Sequence, residues 1–139
     1  MYKAESLGLE EAKVAVEAIL QEALREPGPP VAVAVVDNRG GLICYARMDG
    51  ATPFNQLMAL RKASTAAQMG IDTLVLREGL KAVKMNFADF GSTDITLVQG
   101  GVCVNQPDSR AVLGGIGVSG RLEQQDEELA RAGLKALKL

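Results

Sequence analysis

The sequence predicts a single α+β domain with a five-stranded antiparallel sheet flanked by helices. Three observations carry that prediction. Short apolar, strand-like runs come in closely linked pairs, residues 31–36 with 42–48 and residues 95–98 with 102–105. Helical periodicity opens the chain, fills its middle and closes it. Residues 114–120 are apolar, β-branched and rich in glycine, as expected of a central strand that ends in a tight turn. Alternate glycines in a strand mean that something approaches its backbone closely, either a packed helix or a ligand.

The elements follow in order. Ser6 or Gly8 opens the first helix, and Glu10 and Glu11 suit its first turn. Leu9, Ala12, Val16, Ile19 and Ala23 form its apolar stripe, and Pro27-Gly28-Pro29-Pro30 ends it. Residues 31–36 are wholly apolar, which predicts a strand covered on both faces. The turn from Asp37 to Gly41 leads into the second strand, residues 42–48. Thr52 then suits a helix N-cap, Pro53 the first helical position and Gly70 the end. Ala59, Ala63, Ala66 and Gly70 form a small apolar stripe that lets this helix lie close on a sheet. Met58, Lys62, Thr65 and Met69 form the stripe beside it.

Asp72 or Thr73 caps a shorter helix reaching about Lys84, and an irregular stretch with Phe87 and Phe90 follows. Residues 95–98, the turn Gln99-Gly100-Gly101 and residues 102–105 read as a second hairpin. Residues 110–118 read as the long last strand and residues 122–138 as the last helix. The acids at the start of that helix and Lys135 and Lys138 near its end complement its dipole.

Composition narrows the chemistry. The chain has 139 residues and 47% hydrophobic residues, enough for one domain with a real core. Aromatics are only 4%, so Val, Leu, Ile and Ala must fill that core. The net charge of −2 comes with no basic patch, so no nucleic-acid partner is expected. No apolar run approaches the length of about 20 residues that spans a bilayer, so no membrane partner is expected. Residues 1–11 show no secretory pattern, and a cytoplasmic protein is expected. Cys44 and Cys103 are expected to be buried free thiols. The sequence has no His, which removes imidazole catalysis and imidazole metal sites.

Gly115, Gly117 and Gly120 match the spacing G-x-G-x-x-G, but no second strand follows to make a βαβ unit, so a dinucleotide site is not expected. Several other residues are candidates, each with a plainer reading. Arg47, at a strand end, can bind a carboxylate or form a surface pair with Asp49. Lys62 and Thr65 share a helical face, and Lys62 can hold an anion or lie along the alanine surface. Gly100 and Gly101 can present amides to a ligand or simply turn a hairpin. Glu123, Asp126 and Glu127 can supply metal ligands or serve the helix dipole.

These pieces occur together in one family. Arg47-Met48-Asp49-Gly50-Ala51, Lys62-Ala63-x-Thr65-Ala66, Gly100-Gly101 and the 114–120 run with Gln125-Asp126-Glu127 resemble the GlcG/HbpS/PduO C-terminal family. The resemblance covers essentially the whole chain, residues 1–139. It implies a profilin-like α/β/α layered domain, a homo-oligomer, and a pocket near Arg47, Asp49, Lys62, Thr65, Gly100, Gly101 and Asp126. It implies an anionic metabolite or a tetrapyrrole, haem or corrinoid-related, as the ligand. The alternatives are an enzyme acting on a small hydroxy- or oxo-acid and a purely structural assembly module. The chain departs from the family pattern where Val102-Cys103 directly follows the glycine pair and where Arg121 and Leu122 follow Ser119-Gly120. With no His, a haem iron here would need Tyr, Met, Cys, Lys or a hydroxyl as its ligand.

Overall fold

The computed structural model describes residues 1–139. Helix α1 spans Leu9–Arg25, strand β1 Ala32–Asp37, strand β2 Leu42–Arg47, helix α2 Pro53–Met69 and helix α3 Thr73–Ala82. A short 3-10 turn, Phe87–Phe90, precedes strand β3 at Gly101–Asn105, strand β4 at Val112–Ser119 and helix α4 at Glu123–Ala136. The sheet is antiparallel with order β2-β1-β4-β3.

It has four strands, not the five expected. Residues 95–98 form no strand, because their backbone groups bond to side chains instead of a neighbouring strand. Thr96 N–H donates to Thr65 Oγ1 at 3.0 Å and Val98 N–H to Thr96 Oγ1 at 3.2 Å, and just beyond the stretch Gln99 N–H donates to a Glu123 carboxylate oxygen at 3.1 Å. Arg77 donates to the Leu97 carbonyl at 3.5 Å. Gly100 and Gly101 accordingly turn no hairpin; Gly101 is the first residue of β3.

Helices cover both faces of the sheet. Ala12, Ala15, Val16, Ile19 and Ala23 of α1 pack with Leu129 and Ala130 of α4 on Val33, Val35, Ile116 and Val118. Leu9, placed on the apolar stripe by sequence, is exposed. On the other face Ala59, Ala63 and Ala67 of α2 pack on Ala32, Ala34 and Val36. Thr52 caps α2 by accepting from Asn55 N–H, and Gly70 ends it with φ +72°.

The glycines of β4 answer the question that their spacing raises. A Cβ on Gly117 would fall well inside contact with the Ala59 carbonyl oxygen and 2.6 Å from Ala63 N. A Cβ on Gly115 would meet the Ala63 carbonyl in the same way. A helix therefore lies against this strand, and no room remains there for a ligand. No helix is long and apolar enough to cross a membrane.

Candidate functional site

Five of the expected site residues meet beneath the segment that joins α3 to β3. Lys62 leaves α2 on the side facing β4 and is buried. Its ammonium donates to the Val118 carbonyl at 2.9 Å and to Asp126 Oδ2 at 3.2 Å. Asp126, buried in the first turn of α4, also accepts from Arg121 N–H at 3.0 Å and Gly120 N–H at 3.4 Å. Gly100 lies over the ammonium, since a Cβ there would stand 2.8 Å from Lys62 Nζ. Gly101 lies against the Lys62 carbonyl, and Thr65 holds Thr96 as described above.

Burial acts on both charges. Desolvation lowers the Lys62 pKa, and Asp126 opposes that shift. Desolvation raises the Asp126 pKa, opposed chiefly by Lys62. Both groups are pushed toward neutrality, and their mutual attraction keeps the pair viable.

Sequence reasoning missed the second pair in this network. Arg77 of α3 grips Glu123 with two hydrogen bonds of 3.1 Å. That grip is the main reason the Glu123 pKa is lowered. The available signal was weak: Arg77 borders the buried stripe Thr73, Leu76, Leu80, and its partner lies 46 positions away.

The three acids considered as metal ligands are divided among three cations. Glu123 faces Arg77, Asp126 faces Lys62 and Glu127 faces Arg131. They form no joint cluster.

Arg47 and Asp49 stand apart from this network. Both are exposed and they make no ion pair with each other. Arg47 is opposite Ala32, which is opposite Ser119, so two strand spacings of about 5 Å separate its backbone from β4. Arg47 and Lys62 do not converge.

The open space lies elsewhere. A groove of about 710 Å³ runs between α1 and the edge strand β2. Val14, Val16, Ala18 and Leu20 form one wall, and Cys44 and Ala46 form the floor. Glu10, Lys13, Glu17 and Gln21 supply its polar lining, with Lys13 Nζ 3.6 Å from the Glu10 carboxylate. A second groove, of about 680 Å³ between α1 and α4, is lined mainly by charged and polar residues, including Glu22, Glu26, Arg121 and Lys135. In that second groove Arg121 is already spent on the Ala23 and Pro29 carbonyls, at 2.9 Å each.

Residues 7–135 match the model of the family described as haem degrading protein HbpS-like. The chain belongs to this HbpS-like family. It superimposes on an HbpS double mutant from Streptomyces reticuli with TM-score 0.87 and 32% identity, over 100% of this chain and 92% of that one. Protein ORFY from Klebsiella pneumoniae gives 0.86 and 24%, over 98% and 93% of the two chains. A PduOC:haem complex gives 0.82 and 23%, over 96% of each, which at that identity shows a shared fold. A search of curated proteins gives no match. The HbpS-like chain therefore keeps the family's α+β architecture.

Proposed function

We propose that this HbpS-like protein is a homo-oligomeric binding protein for an anionic small molecule, with haem or another tetrapyrrole as the ligand. The whole-chain match to a family described as haem degrading carries the reading. We place the ligand in the groove between α1 and β2. A porphyrin needs apolar walls with few polar groups. This groove has such walls, with one thiol on its floor and Glu10, Lys13, Glu17 and Gln21 around them. A small hydroxy-acid would gain little from them.

The donor set fits the group. No imidazole is available, but thiolate is an established haem ligand. Cys44 is the residue we assign to the iron and Lys13 the one for a propionate, which would replace Glu10 in their exposed pair. Haem supplies iron-centred redox chemistry when bound. The chain's own part is to exclude water with Val14, Ala18 and Leu20 and to present the thiol. We assign Lys62, Thr65, Gly100, Gly101 and Asp126 to holding the loop before β3, since their polar atoms are used within the chain.

The test is haem titration followed by the Soret band, with Cys44→Ala and Val14→Asp beside the wild type. Saturable binding is expected, with a Soret position that shifts in Cys44→Ala and a weaker affinity in Val14→Asp. A time course of the band separates retention of haem from its breakdown. Wild-type protein that leaves free haem unchanged refutes the reading.

A further inference from the structure

The two edges of the sheet are treated differently. At the β3 edge, side chains of the α3 start take up the outward N–H groups. Gly101 N–H donates to Thr73 Oγ1 at 3.1 Å and Cys103 N–H to Asp72 Oδ1 at 2.9 Å. At the β2 edge nothing does so.

The outward groups of β2 follow from the register. Met48 N–H donates to the Val31 carbonyl at 2.9 Å, and Arg47 is opposite Ala32. In an antiparallel ladder those two facts make Arg47–Ala32 a pair without mutual hydrogen bonds. Tyr45–Ala34, two positions on, is another such pair. The backbone N–H and C=O of Tyr45 and Arg47 therefore point away from β1, and no hydrogen bond within the chain uses them. The register shift at Val35/Val36 ends this regular stretch on its far side.

We propose that β2 pairs antiparallel with β2 of a second copy about a two-fold axis at Ala46, joining two sheets into one. Tyr45 of each copy then exchanges both hydrogen bonds with Arg47 of the other, so every outward group on this stretch is satisfied. The side chains suit that register. Ala46 is small enough for the close approach on the axis. Arg47 is exposed, and Tyr45 beside it is only half-buried, with its hydroxyl covered. The accessible part of Tyr45 is thus its ring, which each Arg47 can meet across the join as a cation on an aromatic face. The capped β3 edge prevents the sheet from growing further, so the pairing closes at two rather than running on as a fibre.

The pairing bears on the ligand reading and, for this part, rests on it. A two-fold axis normal to the sheet places both α1 helices on one side. The two grooves then open toward each other across a shared floor containing Cys44 and Ala46 of both copies. The groove is walled on its open side only when the second copy is present.

Sedimentation velocity over about 1 to 100 μM reads the assembly directly. The wild type is expected to include a species of twice the 14.7 kDa chain mass. Arg47→Pro removes one outward N–H and no bond to β1, and it is expected to weaken the association at least tenfold. Arg47→Glu, which keeps the backbone donor on an exposed side chain, is expected to weaken it less. Hydrogen exchange supplies a check that needs no variant. The Tyr45 and Arg47 amides, unbonded within the chain, are expected to be protected increasingly with protein concentration. A monomeric wild type, or an assembly whose Tyr45 and Arg47 amides exchange freely, overturns the proposal. Haem titration of the Arg47→Pro protein separates the two readings: undiminished binding by a monomer removes the shared trough and leaves the single-chain groove standing.

Discussion

Gly117→Ala tests how closely α2 lies on β4. The added Cβ would stand 2.6 Å from Ala63 N and 3.1 Å from Ala63 Cβ, and nearer still to the Ala59 carbonyl oxygen. These are mostly backbone atoms of a 17-residue helix, so no single side chain can swing aside. Restoring an ordinary carbon–oxygen distance of about 3.3–3.6 Å requires α2 to lift by more than about 1 Å. The lift loosens Ala59, Ala63 and Ala67 against Ala32, Ala34 and Val36 together. A gap of that size forfeits about half of each dispersion contact along the interface. Overpacking typically costs about 1–3 kcal/mol, and the rigid backbone obstacle puts this case near 3 kcal/mol. That corresponds to roughly 10 °C in Tm for a chain of this size. Gly79→Ala is the control: nothing lies within 4 Å of the added atom, and it should stabilise the protein by about 0.5–1 kcal/mol. Urea unfolding of both variants at one protein concentration measures the difference. A Gly117→Ala midpoint equal to wild type would refute the close-contact argument.

Other expectations follow from the charges and thiols. Lys62→Met leaves Asp126 buried without its cation and should cost about 3–5 kcal/mol. Adding Asp126→Asn keeps an acceptor for Arg121 N–H and should recover a large part of that loss, whereas additive unfolding energies would show that the pair is not coupled. Glu123 has a lowered pKa in the folded protein, chiefly from its bond to Arg77. Its contribution is therefore present above the ordinary carboxylate value of about 4.3 and lost as pH falls through the folded value. Glu123→Gln should flatten the stability profile on that acid side, and a slope equal to wild type would count against the pair. Burial pushes the Cys103 thiol up to about 11, while Cys44 is half-buried at the groove. One thiol per native chain should react with an aromatic disulfide reagent at mildly alkaline pH and the second only after unfolding; two fast thiols would show that the β3 edge opens.

The sequence by itself determined most of the local structure. Thr52, Pro53 and Gly70 mark α2 because capping and left-handed backbone are local demands. The alternation of glycines in residues 114–120 announced a close approach, and the combined motifs pointed to the family now shown by the match over residues 7–135. Tertiary structure decided whatever depends on partners far along the chain. Residues 95–98 have strand-like composition, yet Thr65 and Arg77, distant in sequence, take backbone groups of Thr96 and Leu97, Glu123 takes that of Gln99 beside them, and no fifth strand forms. Lys62 reads as a free cation on a helix face; only the fold sets Asp126 against it, 64 positions away, and turns a candidate anion site into a buried pair. The apolar groove is also invisible in sequence, because its wall on α1 and its floor on β2 each look like ordinary core. Composition and periodicity report what a residue prefers to be near, and the sheet order decides which of those preferences are met.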